Sequence, residues 1–425
     1  MRELLKYTFY FVLALTVTSC KKQFNPQLIS VSTNFLAVDG PILSGDSTFI
    51  RLSRTTKLSD TTQNKAELKA IVNVESDQNV LYPLTDKGKG LYVLGVVNFS
   101  AARKYRLNIK TADGKIYQSD FVPMKVTPAI DSIYIKHTSP DEITFYVDSH
   151  DGTNNTRYYR WEYKDTWQYV SIYRNVYQYK NGVISSVIAN SPDDISTCYK
   201  SSYSNQLFIG SSSKLSQDVI KEQPLFGVNN TSEKISHTYT IQLKQYALTK
   251  DAFEYYEILK RNTEQIGSIF DPQPSMISGN IHCITSPADV VIGFISVSTI
   301  TRKQFDLYTN GHKLRPIELN QGIEGVTPHA YPQPFYEMCS GIPLNPNTGK
   351  GAPWSFVFLK VPDLNVQPAA FYTRANKALS KGDSVLFNID FSDILSARYQ
   401  YAPKNCVDCR VKGGTNIRPA YFPLY

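Results

Sequence analysis

Apolar residues along this chain recur at every second position far more often than at every third or fourth. Leu68, Ala70, Val72 and Val74 alternate with polar neighbours, and Val80, Tyr82 and Leu84 resume the alternation after Ser76-Asp77-Gln78-Asn79. Successive side chains of a strand point to opposite faces, so a period of two predicts strands with one buried face, and the polar run predicts the turn between them. Tyr105, Leu107 and Ile109 repeat the pattern. Asp113-Gly114 beyond them predicts a type I′ hairpin tip, whose two central residues both need positive φ. Residues 35–125 therefore read as an Ig-like β-sandwich of short antiparallel strands, with Pro123 and Pro128 marking its end.

The same period continues beyond that boundary. Ile143, Phe145 and Val147 alternate, as do Tyr159, Trp161 and Tyr163, then Tyr239, Ile241 and Leu243. Val291, Gly293, Ile295 and Val297 form a further run, Val385, Phe387, Ile389 and Phe391 another, and Asn181-Gly182 a second hairpin tip. Residues 126–425 are thus expected to form a larger β-rich domain, and the fold class is mainly β. One stretch breaks the rhythm. Thr249 can cap a helix near 250–266, Asp251 suits its positive first turn and Gly267 its left-handed stop. Ala252, Phe253, Tyr256 and Leu259 share one face of it, and Glu257 and Arg261 can pair at i,i+4. Residues 310–370 keep no period and are punctuated by proline and glycine, as in GVTPHAYPQPF and GIPLNPNTGKGAPW. Long irregular segments in compact domains often carry function, so this one is an expected contact surface.

The first twenty residues follow a different logic. Arg2 and Lys6 precede an apolar run from Tyr7 to Val17, too short for a bilayer span of about 20 residues and suited to a cleaved signal. Val17-Thr18-Ser19-Cys20 looks like a bacterial lipobox, in which the cysteine is acylated and becomes the first residue. The expected organisation is a signal peptide over 1–19 and a lipidated tether over 20–34, with Cys20 holding the chain on a membrane through its acyl chains. The formal charge of +8 is spread without an Arg/Lys block, which argues against a nucleic-acid partner.

Export makes the remaining cysteines, Cys198, Cys283, Cys339, Cys406 and Cys409, disulfide candidates. Cys406-Val-Asp-Cys409 has C-x-x-C spacing, but a zinc site would need a second such pair or an H-x3–5-H, and a redox pair a βαβ setting. A bridge from Cys406 is expected, to Cys409 first, with Cys198, Cys283 and Cys339 open as alternatives. No catalytic or phosphate-binding motif occurs, and no two histidines stand at ligand spacing. Asp148-Ser-His150-Asp151-Gly152 starts like a calcium loop and then departs from it, with His150 where an oxygen ligand belongs, so it reads as a turn. Asp193-Asp194 reads as a solvated loop unless another element faces it. No catalytic residue, metal ligand or cofactor is predicted.

Rings are the unusual component: 29 tyrosines, and a dense run in 158-YYRWEYKDTWQYV-170. Such residues either pack sheets or anchor partners. Trp161 and Trp167 here, with Tyr331 and Trp354 in the irregular segment, are the candidate binding residues.

Several segments together resemble the DUF4249 family of Bacteroidetes outer-membrane lipoproteins. They are the lipobox, LAVDG at 36–40, KYRLNIKTADGKIYQSD at 104–120, PAIDSIYIK at 128–136, YYRWEYKDTW at 158–167, LKQYALTKDAFEYYEILKRNTEQIGSIFDPQPSMISGNIHC at 243–283 and CVDCRVKGGTNIRPAYF at 406–422. The IFDPQP…GN and CxxC…GGTN parts carry it most specifically. The resemblance implies no established activity. It implies an accessory or ligand-capturing role beside a TonB-dependent receptor at the outer membrane. Lys21 and Lys22 stand where surface-exported lipoproteins of that phylum often have acidic residues, which leaves the face of the membrane open. The expected function is non-enzymatic binding. Its alternatives are a surface hydrolase acting on glycans or peptides, which needs converging carboxylates or a triad, and a purely structural or adhesive lipoprotein.

Overall fold

The computed structural model describes residues 34–56, 65–180, 183–264, 279–309, 384–393 and 396–423. Cys20, residues 57–64, the expected Asn181-Gly182 tip, Gly267 and the 310–370 segment with Tyr331, Cys339 and Trp354 all lie outside them.

Strands β1 (Leu36–Asp39), β2 (Ile42–Leu43), β3 (Thr48–Arg54) and β4 (Lys65–Ala66) open the chain. They are followed by β5 (Ile71–Ser76), β6 (Leu81–Pro83), β7 (Thr85–Asp86), β8 (Leu91–Leu94), β9 (Lys104–Lys110), β10 (Ile116–Ser119) and β11 (Val122–Pro123). The expected alternation is present: Val72, Val74, Tyr105, Leu107 and Ile109 are buried. One sheet carries β1-β3-β8-β7 and the other β10-β9-β5-β6. Leu36, Ile50, Leu52 and Tyr92 of the first sheet share a core with Val72, Leu107 and Tyr117 of the second. This is the expected sandwich. Leu68 and Val80, read as inward, are 49% and 47% exposed, because both fall outside the strands, where alternation no longer fixes direction. The Asp113-Gly114 tip is also built differently from type I′. Only Gly114 has positive φ (86°), its N–H donates to the Thr111 carbonyl at 2.9 Å, and Asp113 instead accepts from the Thr111 hydroxyl.

The second unit begins with β12 (Ile130–Ser139), β13 (Glu142–His150) and β14 (Tyr158–Val170). Next come β15 (Tyr177–Lys180), β16 (Val183–Ser186), β17 (Thr197–Tyr203), β18 (Phe208–Ser211), β19 (Val219–Asn229) and β20 (Thr238–Ala247). β12-β13-β19 form one sheet and β17-β14-β20 part of another. Odd-numbered residues of β14 face the first of these. Tyr159 and Trp161 join Ile143, Phe145, Val147, Tyr239, Ile241 and Leu243 in one apolar interior.

Helix α1 (Lys250–Glu264) begins where expected, with the Thr249 hydroxyl accepting from the Ala252 N–H at 3.2 Å. Ala252, Tyr255 and Tyr256 are its buried residues, and Lys250–Glu254 and Lys260–Glu264 are its i,i+4 ion pairs, in place of Glu257–Arg261. The helix packs on the even face of β14. Arg160 lies with its guanidinium 4.6 Å from the Tyr246 ring and 4.9 Å from that of Tyr256.

The chain then does what period alone could not indicate: it returns to the first sandwich. β21 (Ile281–Cys283) pairs with β10, β22 (Val291–Ile292) runs parallel to β1, and β23 (Val297–Ser298) parallel to β2. The expected 35–125 unit is therefore completed by residues 281–298, and Ile281, Cys283, Val291, Ile295 and Val297 belong to its core. The run read as one strand is split at Gly293, whose φ of 141° and 2.2 Å approach of a Cβ position to the Val38 carbonyl oxygen admit only glycine. β24 (Ile300–Tyr308) carries the chain back to pair with β20, and β25 (Ser384–Asp393) and β26 (Ser396–Pro403) form a hairpin ahead of the short helix α2 (Lys404–Val407).

The junction near Pro128 is strapped rather than loose. Thr127 donates its N–H to the Thr299 hydroxyl at 2.7 Å and its hydroxyl to the Thr299 carbonyl at 2.6 Å, and it accepts from the Ala247 N–H at 3.0 Å. No helix among the described residues is long and apolar enough to cross a membrane.

Candidate functional site

The two faces of β14 have different fates. Trp161 is fully buried on the odd face, where its indole N–H donates to Gln245 at 2.8 Å and its ring stacks on Tyr159. That position corrects its candidacy as a binding residue, because an inward ring with its one donor satisfied is core. Trp167, on the same face, is half-buried, and the Lys234 ammonium lies 4.8 Å from its ring centroid.

Beside it sits a buried polar cluster. Asp165 is fully buried and takes the Lys234 ammonium at 2.6 Å, the Tyr239 hydroxyl at 3.1 Å and the Ser202 hydroxyl. Ser202 Oγ is 3.3 Å from Lys234 Nζ, a pairing that a serine nucleophile with a lysine base would need. Here the Asp165 carboxylate accepts from both the Lys234 ammonium and the Ser202 hydroxyl and ties the two groups to β14. The cluster holds β14, β17 and β20 together.

The even face ends differently. Tyr199 pairs with Gln168 and Thr238 with Tyr308, each one step beyond the Trp167–Tyr239 pair that joins β14 to β20, so the four form a row at the end of the sheet far from α1. The C-terminal tail crosses this face. Tyr199 exchanges backbone hydrogen bonds with Thr415 at 2.8 and 3.1 Å, the Phe422 ring meets Tyr199 edge-on at 5.0 Å, and Tyr421 bonds Thr166 at 2.8 Å. Between row and tail lies a cavity of about 460 Å³. Val170 and Thr197 extend its floor, and Arg174, Asn190, His237, Arg418, Phe422 and Pro423 complete its lining. Burial pushes the Tyr199 phenol up, an effect the Arg418 guanidinium opposes.

A disulfide fixes that tail. Cys198, between the floor residues Thr197 and Tyr199, is joined to Cys409 across 211 residues of sequence. The Tyr169 hydroxyl donates to the Cys409 carbonyl at 2.7 Å, and Asp408 accepts from the Arg410 guanidinium at 2.8 Å. The expected Cys406–Cys409 bridge is thus corrected: Cys409 is taken by Cys198, which lies on the neighbouring strand, and Cys406 is disulfide-bonded elsewhere. Cys283 is a free, buried core residue of the first sandwich and so leaves the disulfide candidates.

A second cavity, about 450 Å³, lies at the end of the first sandwich. Arg54 pairs there with Glu67 at 2.6 Å and Lys115 with Asp289 at 2.5 Å, and its other two charges, Lys65 and Asp113, are opposite in sign.

The other acidic candidates are structural. Asp151 accepts from the N–H groups of Thr153, Asn155 and Thr156, which closes the turn read from Asp148–Gly152. Asp194, expected to be solvated, is buried and accepts from the Asn190 and Ser196 N–H groups at 2.9 Å each. No group of three or more potential metal ligands occurs among the described residues.

The family described as "Domain of unknown function (DUF4249)" matches residues 21–304. The chain belongs to the DUF4249 family. No curated protein matches it. Among solved structures it is similar to the crystal structure of the chicken CNTN1 FN1-FN3 domains at 13% identity and a TM-score of 0.16. That similarity covers 50% of this chain and 62% of the other, so the chain spans less than two thirds of that structure's length. The DUF4249 match ends before the tail that walls the cavity. Sequence reading missed Arg174, Tyr199, Arg418 and Phe422 as site residues, since no local pattern marks residues brought together from β17, the loop after β14 and the tail.

Proposed function

We propose that this DUF4249 protein is an outer-membrane lipoprotein, anchored through Cys20, that captures a ligand without catalysis beside a TonB-dependent receptor. The cavity between the Tyr199–Tyr308 row and the C-terminal tail is the observation that carries the reading. Its described lining offers guanidinium, amide, hydroxyl and aromatic groups and no carboxylate, a composition suited to holding a molecule. A lipid tether confines the chain to the membrane plane, so a weak contact with a neighbouring receptor gains from a high effective concentration. Because Trp161 is core, the expected contact residues on the ring-dense segment reduce to Trp167, whose ring keeps partial exposure.

Purification from native membranes in mild detergent tests the partnership. A TonB-dependent receptor should co-purify, and Cys20→Ser should release the chain from the membrane fraction. Repeated recovery without any outer-membrane receptor, or robust turnover by the purified protein, would sink the reading.

A further inference from the structure

We infer that the cavity under the C-terminal tail is a site for an anionic oxygen group, carboxylate or phosphate, with Arg418 as its principal contact and Arg174 as a second. The inference deepens the binding reading above and rests on it.

Arg54 pairs with Glu67, Arg106 with Glu75, Arg160 with Glu162 and Arg410 with Asp408. Arg418 pairs with no carboxylate among the described residues. It lines the cavity, and its Nη1 is buried without a hydrogen-bond partner. An unpaired buried donor on a charged group is costly to keep, and an oxyanion in the cavity would supply what it lacks. Arg174 adds a second positive charge to the same lining, and no carboxylate among the described lining residues competes for either. Gln168 and Asn190 add amide donors, while Val170, Phe422 and Pro423 give an apolar surface for the body of the molecule. A volume of about 460 Å³ suits a small organic anion.

The Cys198–Cys409 bond and the Tyr199–Thr415 pairing hold the segment that carries Arg418 against the floor. The backbone ahead of Arg418 is thus fixed before any ligand arrives, which lowers the ordering that binding must overcome.

Calorimetric titration of the mature chain in detergent, with succinate and inorganic phosphate as separate probes and chloride at matched ionic strength as control, tests this. At least one probe should bind saturably below ~10 mM, and Arg418→Gln should weaken it ~10-fold or more, with Arg418→Lys intermediate. Arg174→Gln should weaken it ~3-fold, as befits a more exposed charge. Tighter succinate binding identifies a carboxylate ligand, and tighter phosphate binding a phosphate one. No saturable binding of either probe overturns the inference, as does unchanged affinity in a folded Arg418→Gln. If Arg418→Gln does not fold, Arg174→Gln decides alone, and unchanged affinity there overturns it. Receptor co-purification is independent of these titrations, so failure here leaves the receptor reading standing, and failure there leaves the anion site standing.

Discussion

In the first sandwich Leu36, Ile50, Val72, Leu107 and Ile109 meet in an apolar interior, and its buried carboxylate Glu75 is answered across one strand pair by Arg106 at 2.8 Å. In the second unit Asp165, Asp194, Asp218 and Arg160 are all buried, and a disulfide joins strand to tail across 211 residues. The contrast follows from what each unit must hold. The first closes by pairing strands whose faces are already apolar. The second gathers β14, β17, the stretch before β20, α1 and a tail from far along the chain, and directional polar bonds fix such pieces in one arrangement. Polar anchoring has a cost. Removing one partner leaves the other buried and unpaired, so the second unit should be the more fragile under single polar substitutions.

The largest effect should come from Trp161→Ala, which removes a fully buried ring and takes away the donor to Gln245 Oε1: about 4 kcal/mol, against about 3 kcal/mol for Leu107→Ala in the first sandwich. Denaturant unfolding of both variants measures it, and an effect of Trp161→Ala below 1 kcal/mol would show that the ring is not the core residue described here. Next, Cys198→Ser with Cys409→Ser should cost about 3 kcal/mol, because the link closes a very long loop. Limited proteolysis of that double variant should cut first near Arg410 or Arg418, with the first sandwich left intact.

A direct contrast pairs Asp165→Ala with Glu75→Ala. The first should cost about 2 kcal/mol, discounted from a fully buried pair because Lys234 keeps 33% of its side chain exposed. The second should cost about 1 kcal/mol, since Glu75 keeps 9% of its side chain exposed where Asp165 keeps none. Equal costs would break the contrast between the units. The smallest effect concerns His150, whose pKa is raised above the ordinary imidazole value of 6.5 by its hydrogen bond to Asp131 at 2.8 Å. The folded form holds that proton more tightly than the unfolded one, so the contact contributes below pH 6.5 and is lost as pH rises through the raised value. NMR titration of the imidazole should place its midpoint above 6.5, and a midpoint at or below that removes the contact from the second unit's polar set.

Period alone determined a good deal. Alternation in 71–74, 105–109, 143–147 and 239–243 specified strands and their inward faces, because a side chain's direction in a strand depends only on parity. Thr249 specified the helix start through one local hydrogen bond. Those are short-range facts, and short-range chemistry writes them. Which strands pair is another matter. That residues 281–298 complete the first sandwich, that Cys198 rather than Cys406 reaches Cys409, and that Trp161 points into a core were decided only in three dimensions. So was the cavity. Tyr199, Gln168, Thr238 and Tyr308 come from four strands, and Arg418 from a tail more than a hundred residues beyond the last of them. No local pattern can mark such a set, since each residue becomes a neighbour of the others only through sheet register and a covalent link between distant segments.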